Sequence, residues 1–313
     1  MRNKITFFVV LLFTTIALFA EVASVTSLTS SSSALFIESQ LGAFDPEKAV
    51  AVSQMKGAPE VGPLSIAVLD GKAVILDAVL LRILFLNESN EIINIAPLAP
   101  EAEVNDICIA NGMVTFLDRS NYGIYQINDG RVQQISNLTS FSQTVPVQID
   151  SICSLGEEIA IADFSSNSIF RTSLTGKIIS VATCTTFLNI AYDKDKNICG
   201  FGLKKEDEYS AFFRISPDGH KSEIQLSGVS TKGARLLGFL ENGDAAGLSV
   251  FSYEPFVKQL FKVDQSGKCT EIDRISLPSR FASKLGIVDG SDIWLSYSPI
   301  GTQNHNIRKY RIK

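Results

Sequence analysis

The sequence predicts an all-β fold, a six-bladed β-propeller of four-stranded antiparallel blades whose ring is closed by an N-terminal strand. Three observations carry that expectation. An aspartate recurs six residues before an isoleucine, as Asp77 with Ile83, Asp118 with Ile124 and Asp163 with Ile169, and the aspartates stand 41 and then 45 residues apart. Glycine turns keep the same beat, with Gly71, Gly112 and Gly156 in one set and Gly130, Gly176, Gly219 and Gly267 in another. The stretches between turns are rich in β-branched and aromatic residues and alternate with period two, as at 124–127 and 212–215. A repeat of about 45 residues built from short strands is the length of a propeller blade.

The elements follow in chain order. Arg2 and Lys4 precede an apolar run from Ile5 to Ala20, and small residues Ala20, Ala23 and Ser24 come next, so residues 1–24 read as a signal peptide. The run is shorter than the ~20 residues that span a bilayer. Cleavage is expected, with an uncleaved N-terminal anchor as the alternative. Residues 25–34 are Ser/Thr-rich and read as a flexible spacer, and residues 35–313 as a single propeller. Each unit offers an apolar strand, a tight turn, a second strand, a loop, a third strand, another turn and a fourth strand. Asn-Gly and Asp-Gly dipeptides supply the positive φ angles that close hairpins with the right twist. The fourth, fifth and sixth units start near Leu188, Leu236 and Leu285. The sixth runs out of chain after three strands. Its fourth must come from the N-terminal side, from 34–39 or 48–55, which hides a sheet edge that would otherwise be open.

Composition narrows the function classes. Apolar residues make up 45% and charged residues 19%, ample for a large core. The formal charge of −5 leaves no basic footprint for a phosphate backbone, so no nucleic-acid partner is expected. Cys108, Cys153, Cys184, Cys199 and Cys269 lack the spacing of a zinc site and read as buried small hydrophobes. His220 and His305 lie in polar stretches and read as exposed loop residues, and no GxSxG, HExxH or Walker motif is present. The recurring aspartates invite a metal assignment, but a carboxylate at a strand end more simply accepts N–H bonds from the loop that follows.

The unit that includes Asp77, Arg82 and Ile83 resembles an NHL repeat, with its V-x-D-x-x-N-x-R-I type core. Asp118 with Asn121 and Asp163 with Asn167 keep part of the pattern, while Gly123 and Ser168 replace the arginine. The resemblance implies an NHL-repeat-like six-bladed propeller, in an exported bacterial protein, used chiefly for binding.

No catalytic, cofactor-binding or metal-ligating residue is assigned, and no cofactor. The chain reads as a secreted or periplasmic binding or scaffold module for a protein, glycan or small-molecule ligand, meeting a membrane only through an uncleaved anchor. The alternative is a metal-dependent lactonase resembling gluconolactonase-like propellers, which hold a divalent cation with oxygen ligands from several blades. Glu60, Asp150 and Asn189 stand where such ligands would be, but Ala234 and Arg235 break the pattern in the fifth blade. For a partner-binding face, the irregular stretches 137–148, 204–210 and 249–259 are the candidates, with Tyr209, Tyr253 and Phe256 as a possible aromatic patch. Asn87 and Asn137 head N-x-S/T sequons.

Overall fold

The computed structural model describes residues 27–30, 34–41, 63–138, 146, 148–184, 189–205, 208–253, 256–275, 285–297 and 305–312. Glu60, the leader 1–24 and the stretch 48–55 lie outside them.

Strands β1 (Ser27–Ser30) and β2 (Ala34–Leu41) open the chain. Blade one is β3 to β6 (Ser65–Leu69, Lys72–Asp77, Arg82–Leu86, Ile92–Pro97). Blade two is β7 to β10 (Ile107–Ala110, Met113–Asp118, Gly123–Asn128, Arg131–Asn137). Blade three is β11 to β14 (Ser151–Leu155, Glu158–Asp163, Ser168–Ser173, Ile178–Thr183). Blade four is β15 to β18 (Ile190–Tyr192, Ile198–Lys205, Glu208–Ile215, Lys221–Gln225) and blade five β19 to β22 (Arg235–Phe239, Ala245–Tyr253, Phe256–Val263, Cys269–Ile275). The last strands are β23, β24 and β25 (Gly286–Asp289, Asp292–Tyr297, His305–Ile312). Five sheets are antiparallel meanders of four, and the sixth is β1-β2-β25-β24-β23. β2 thus supplies the outer strand that the chain's end lacks, paired from Ala34 with Ile312 to Leu41 with His305. β1, within the Ser/Thr-rich stretch, adds a fifth strand outside it.

The ring follows from how each middle strand divides its side chains. Successive residues of a strand face opposite ways, and on β4 Val74 and Leu76 join one apolar cluster while Ala73 and Ile75 join another. Among the described residues there are six such clusters, one for each pair of neighbouring blades. The one joining the last blade to the first contains Trp294, Ile307, Ile66 and Ile75. Because both faces of each blade are covered, the middle strands read as almost continuous apolar runs. Each inner strand touches the next, and β23 touches β3. Among the described residues there is no helix.

Turn chemistry matches the dipeptides. At Asp70-Gly71, Asn111-Gly112 and Asp129-Gly130 both central residues have positive φ, the geometry of the tightest hairpins. Gly176 is fixed twice over, by a φ of +81° and by the Asn137 carbonyl oxygen of blade two, which would lie 1.8 Å from an added Cβ. A feature of the outer strands was not anticipated. The register slips by one residue on β6, β10, β14 and β22, and the extra residue is an isoleucine each time: Ile93, Ile135, Ile179 and Ile272. Such bulges twist an edge strand and make it a poorer template for pairing with another chain.

Candidate functional site

The inner strands begin on one face of the ring and end on the other, and the two faces carry different chemistry. On the first face the recurring aspartates close the second strand of blades one to three. Asp77 accepts Arg82 Nε at 2.9 Å, with both side chains buried, and the Leu80 N–H at 3.4 Å. Asp118 accepts the N–H groups of Ser120 at 2.9 Å and Glu103 at 3.0 Å. Asp163 accepts those of Ser165 at 3.0 Å and Ser166 at 3.2 Å. These carboxylates hold the loops that follow them, as expected. The residue before each third strand, Leu81, Tyr122 and Asn167, is left-handed, and its carbonyl accepts the N–H of Leu98, Leu138 or Cys184 just beyond the fourth strand. The departure from the repeat pattern at Gly123 is also explained. A Cβ there would lie 2.5 Å from the Tyr125 ring, and Asn121 Oδ1 takes the Gly123 N–H at 2.7 Å.

Closer to the inner strands, Asp106 ties three blades together. Its buried carboxylate accepts the Ser65 hydroxyl of blade one, its own neighbour's N–H at Ile107 (2.8 Å) and the Ile152 N–H of blade three (2.8 Å). Asp150 immediately precedes β11 and accepts the Phe164 N–H at 2.7 Å and the Gln148 amide at 2.6 Å. Burial holds its carboxyl above the usual range, those two bonds oppose the rise, and nearby Asp163 adds to it. Asn189 is buried just before β15, and Ala234 is fully buried just before β19. Where a fifth-blade ligand would stand, Arg235 neighbours Lys258 of β21, and burial together with that guanidinium brings the Lys258 ammonium down to about 7. The guanidinium there opposes a divalent ion. Among the described residues no three His, Cys, Asp or Glu assemble as metal ligands. Sequence reasoning missed Lys258, although its alternation with Gln259 and Leu260 places it on a packed face.

His305 corrects an expectation. It is 1% exposed, at the start of β25, with Nε2 2.8 Å from the Ser296 hydroxyl. The polar stretch around it had read as a loop, but His305 opens a strand paired with β24 on one side and β2 on the other. Burial lowers its pKa to about 3 from 6.5. The native ring therefore stays neutral where an unfolded one is protonated, the unfolded state binds more protons between those values, and stability falls as pH drops below 6.5. At pH 5 the loss attributable to this group is about 2 kcal/mol, from about 1.4 kcal/mol per pH unit. Urea midpoints at pH 7 and pH 5 test it: His305→Gln should lose that much less on acidification than the parent, and equal losses would contradict the assignment. His220 is exposed, as expected. All five cysteines are free and buried, and burial raises the Cys184 and Cys269 thiols to about 11, which keeps them unreactive.

The backbone places the candidate aromatic residues at the ends of two hairpins. Tyr253 pairs with Phe256 at the end of the β20–β21 hairpin, and Tyr209 lies at the equivalent end of β16–β17, one blade away. Asn87 caps its own turn, with Oδ1 accepting the Ser89 and Glu91 N–H groups at 2.9 and 2.8 Å.

The opposite face holds a cavity of about 220 Å³ between blades four and five. One wall is the 193–197 turn, folded around Asp193. The Asp193 N–H donates to the Asn197 carbonyl at 3.0 Å, and the Asp193 carboxylate takes the N–H groups of Asp195 and Asn197 at 2.9 Å each and the Asn197 amide at 2.8 Å. The other wall is the 240–244 turn, closed the same way by Leu240 N–H to the Asp244 carbonyl at 2.9 Å. Arg214 of β17 lies between the walls, its Nε 3.7 Å from Asp193 Oδ2, and Phe239, Glu241 and Gln265 complete the lining.

Comparison with known proteins finds no matching family model and no matching curated protein. Solved structures do match. A virginiamycin B lyase from Staphylococcus aureus is 17% identical, with 89% of this chain and 100% of that one covered at a TM-score of 0.56. A PQQ-bound aldose sugar dehydrogenase from Streptomyces coelicolor is 11% identical, over 85% and 98% of the two chains, with a TM-score of 0.57. A protein of unknown function from Bacteroides thetaiotaomicron is 13% identical, over 92% and 98%, with a TM-score of 0.56. At such identities the likeness is one of fold, and it places this chain among six-bladed β-propellers.

Proposed function

We propose that the chain is an exported, non-catalytic binding module, and that its ligand seats in the cavity between blades four and five. The observation that carries this is how the polar groups are spent. Where the inner strands begin, carboxylates such as Asp106 and Asp118 are committed to bonds that hold blades and loops, whereas the cavity between the 193–197 and 240–244 turns is lined by Arg214, whose Nε makes no hydrogen bond, and by Asp195, Glu241 and Gln265, which stand exposed. Binding sites are concave and carry a few convergent polar groups on rigid walls. Export is supported by the basic start and apolar run of residues 2–20. The buried Asp77–Arg82 pair supports an NHL-like origin of the repeat.

The competing reading, a metal-dependent lactonase, makes a contrary prediction. Incubated with δ-gluconolactone and other aldonolactones, with Ca²⁺ or Zn²⁺ added, the purified chain should open the ring no faster than buffer. Hydrolysis that depends on the metal would reverse the proposal.

A further inference from the structure

The lining of the 4/5 cavity selects a chemical class of ligand. Arg214 brings a guanidinium to the floor, but its separation from Asp193 of 3.7 Å exceeds hydrogen-bond reach. Its Nε makes no hydrogen bond, and the cation rests over the Phe212 ring, 5.5 Å from the centroid. Phe212 in turn meets Phe239 edge-on at 6.1 Å, and the half-buried Phe239 supplies the apolar part of the lining. Asp195, Glu241 and Gln265 stand exposed at the rim. The lining therefore mixes guanidinium, carboxylates and a carboxamide around one aromatic edge. Three carboxylates, Asp193, Asp195 and Glu241, face two cations, Arg214 and Lys194. An anion would meet more repulsion than attraction.

A neutral polyhydroxylated ring suits both signs at once. Each hydroxyl has one hydrogen to donate and two lone pairs to accept, so a single sugar hydroxyl can give its hydrogen to Glu241 or Asp195 and receive one from Arg214 or Gln265. The C–H face of such a ring can rest on Phe239. Because the walls are held by their own turn bonds, little ordering is required on binding. We infer that this cavity is a saccharide subsite, taking one neutral sugar ring, with Arg214 and Glu241 as its principal hydrogen-bonding residues. The inference rests on the binding-module reading above.

Saturation-transfer NMR followed by calorimetric titration tests it, with glucose, galactose, N-acetylglucosamine, maltotriose, cellotriose and chitotriose as probes and glycylglycine as a zwitterionic control. At least one saccharide should bind, and Glu241→Ala and Arg214→Ala should each weaken that saccharide at least tenfold. Glu241 lies in an exposed turn, so its variant keeps the test valid should Arg214→Ala fail to fold. Binding of no saccharide, or of glycylglycine alone, overturns the inference. A saccharide bound equally well by both variants removes this subsite while leaving the binding-module reading intact. A saccharide that is chemically converted removes the non-catalytic reading itself.

Discussion

Removal of residues 34–41 is expected to abolish the cooperative unfolding transition altogether. Those residues are β2, and all eight pair with β25. Without β2, β25 becomes a bare edge, and β25 is the strand that carries Ile307 into the cluster between blades six and one. A backbone hydrogen bond contributes about 1 kcal/mol net, so the loss of this ladder is on the order of the 5–15 kcal/mol that holds a typical domain together. Ring architecture amplifies the damage, since every blade packs on two neighbours and no interface can be surrendered alone. The expected product is an aggregating chain without a melting transition in circular dichroism. A truncated chain that melts cooperatively at the parent's temperature would refute closure by β2.

Asp106→Ala is the point substitution with the largest expected cost. The carboxylate is 1% exposed, and its loss leaves the Ile152 N–H and the Ser65 hydroxyl without that partner inside the ring. An unsatisfied buried donor costs about 1–3 kcal/mol, and bonds to a charged acceptor are the stronger kind. A drop of about 3 kcal/mol or more is expected in urea unfolding. Asp106→Asn keeps one acceptor oxygen and should lose roughly half as much by the same reasoning. A change below about 0.5 kcal/mol for Asp106→Ala, the range of ordinary surface substitutions, would mean that the three-blade tie contributes nothing.

These two sites illustrate what the sequence could and could not reveal. The blade pattern was legible because it is local: Asp70-Gly71 and Asn111-Gly112 dictate their turns from two residues each, and the recurring Asp-to-Ile spacing marks the second and third strands. The need for an N-terminal closing strand was legible from arithmetic, since the sixth unit runs out of chain after β25. The roles of Asp77, Asp118 and Asp163 followed from the habit of short acidic side chains to hold the loops after them. What escaped depends on contacts between distant segments. His305 sits among polar residues, yet its strand lies between β24 and β2, which comes from the other end of the chain, and its ring is buried beside Ser296. Asp106 looks like any residue before a strand, and its reach to blade three has no mark in local pattern. Left-handed Leu81 and Tyr122 are residue types that rarely adopt that conformation, and the carbonyl bonds to Leu98 and Leu138 that accompany it extend the pairing of the third and fourth strands by one step.

The candidate site escaped for a related reason. The residues that line it come from turns of two blades, Asp193 and Glu241 lying 48 positions apart, and no local pattern links the two turns. Periodicity reports the scaffold, whereas the site is made of what differs between blades. Blade four has the longer Asp193–Asn197 turn and blade five the Leu240–Asp244 turn, where blades one and two make two-residue hairpins. Longer turns on two adjacent blades raise two walls, and a cavity is the result.

The closed ring is the premise of both the stability and the site, because a splayed blade six would let blade five shift against blade four. Amide hydrogen exchange on β25 measures closure most directly. The β25 amides that face β2 are predicted to exchange as slowly as those that face β24, with the free energy of global unfolding. Rapid exchange on the β2 side, as at an exposed sheet edge, would contradict the ring.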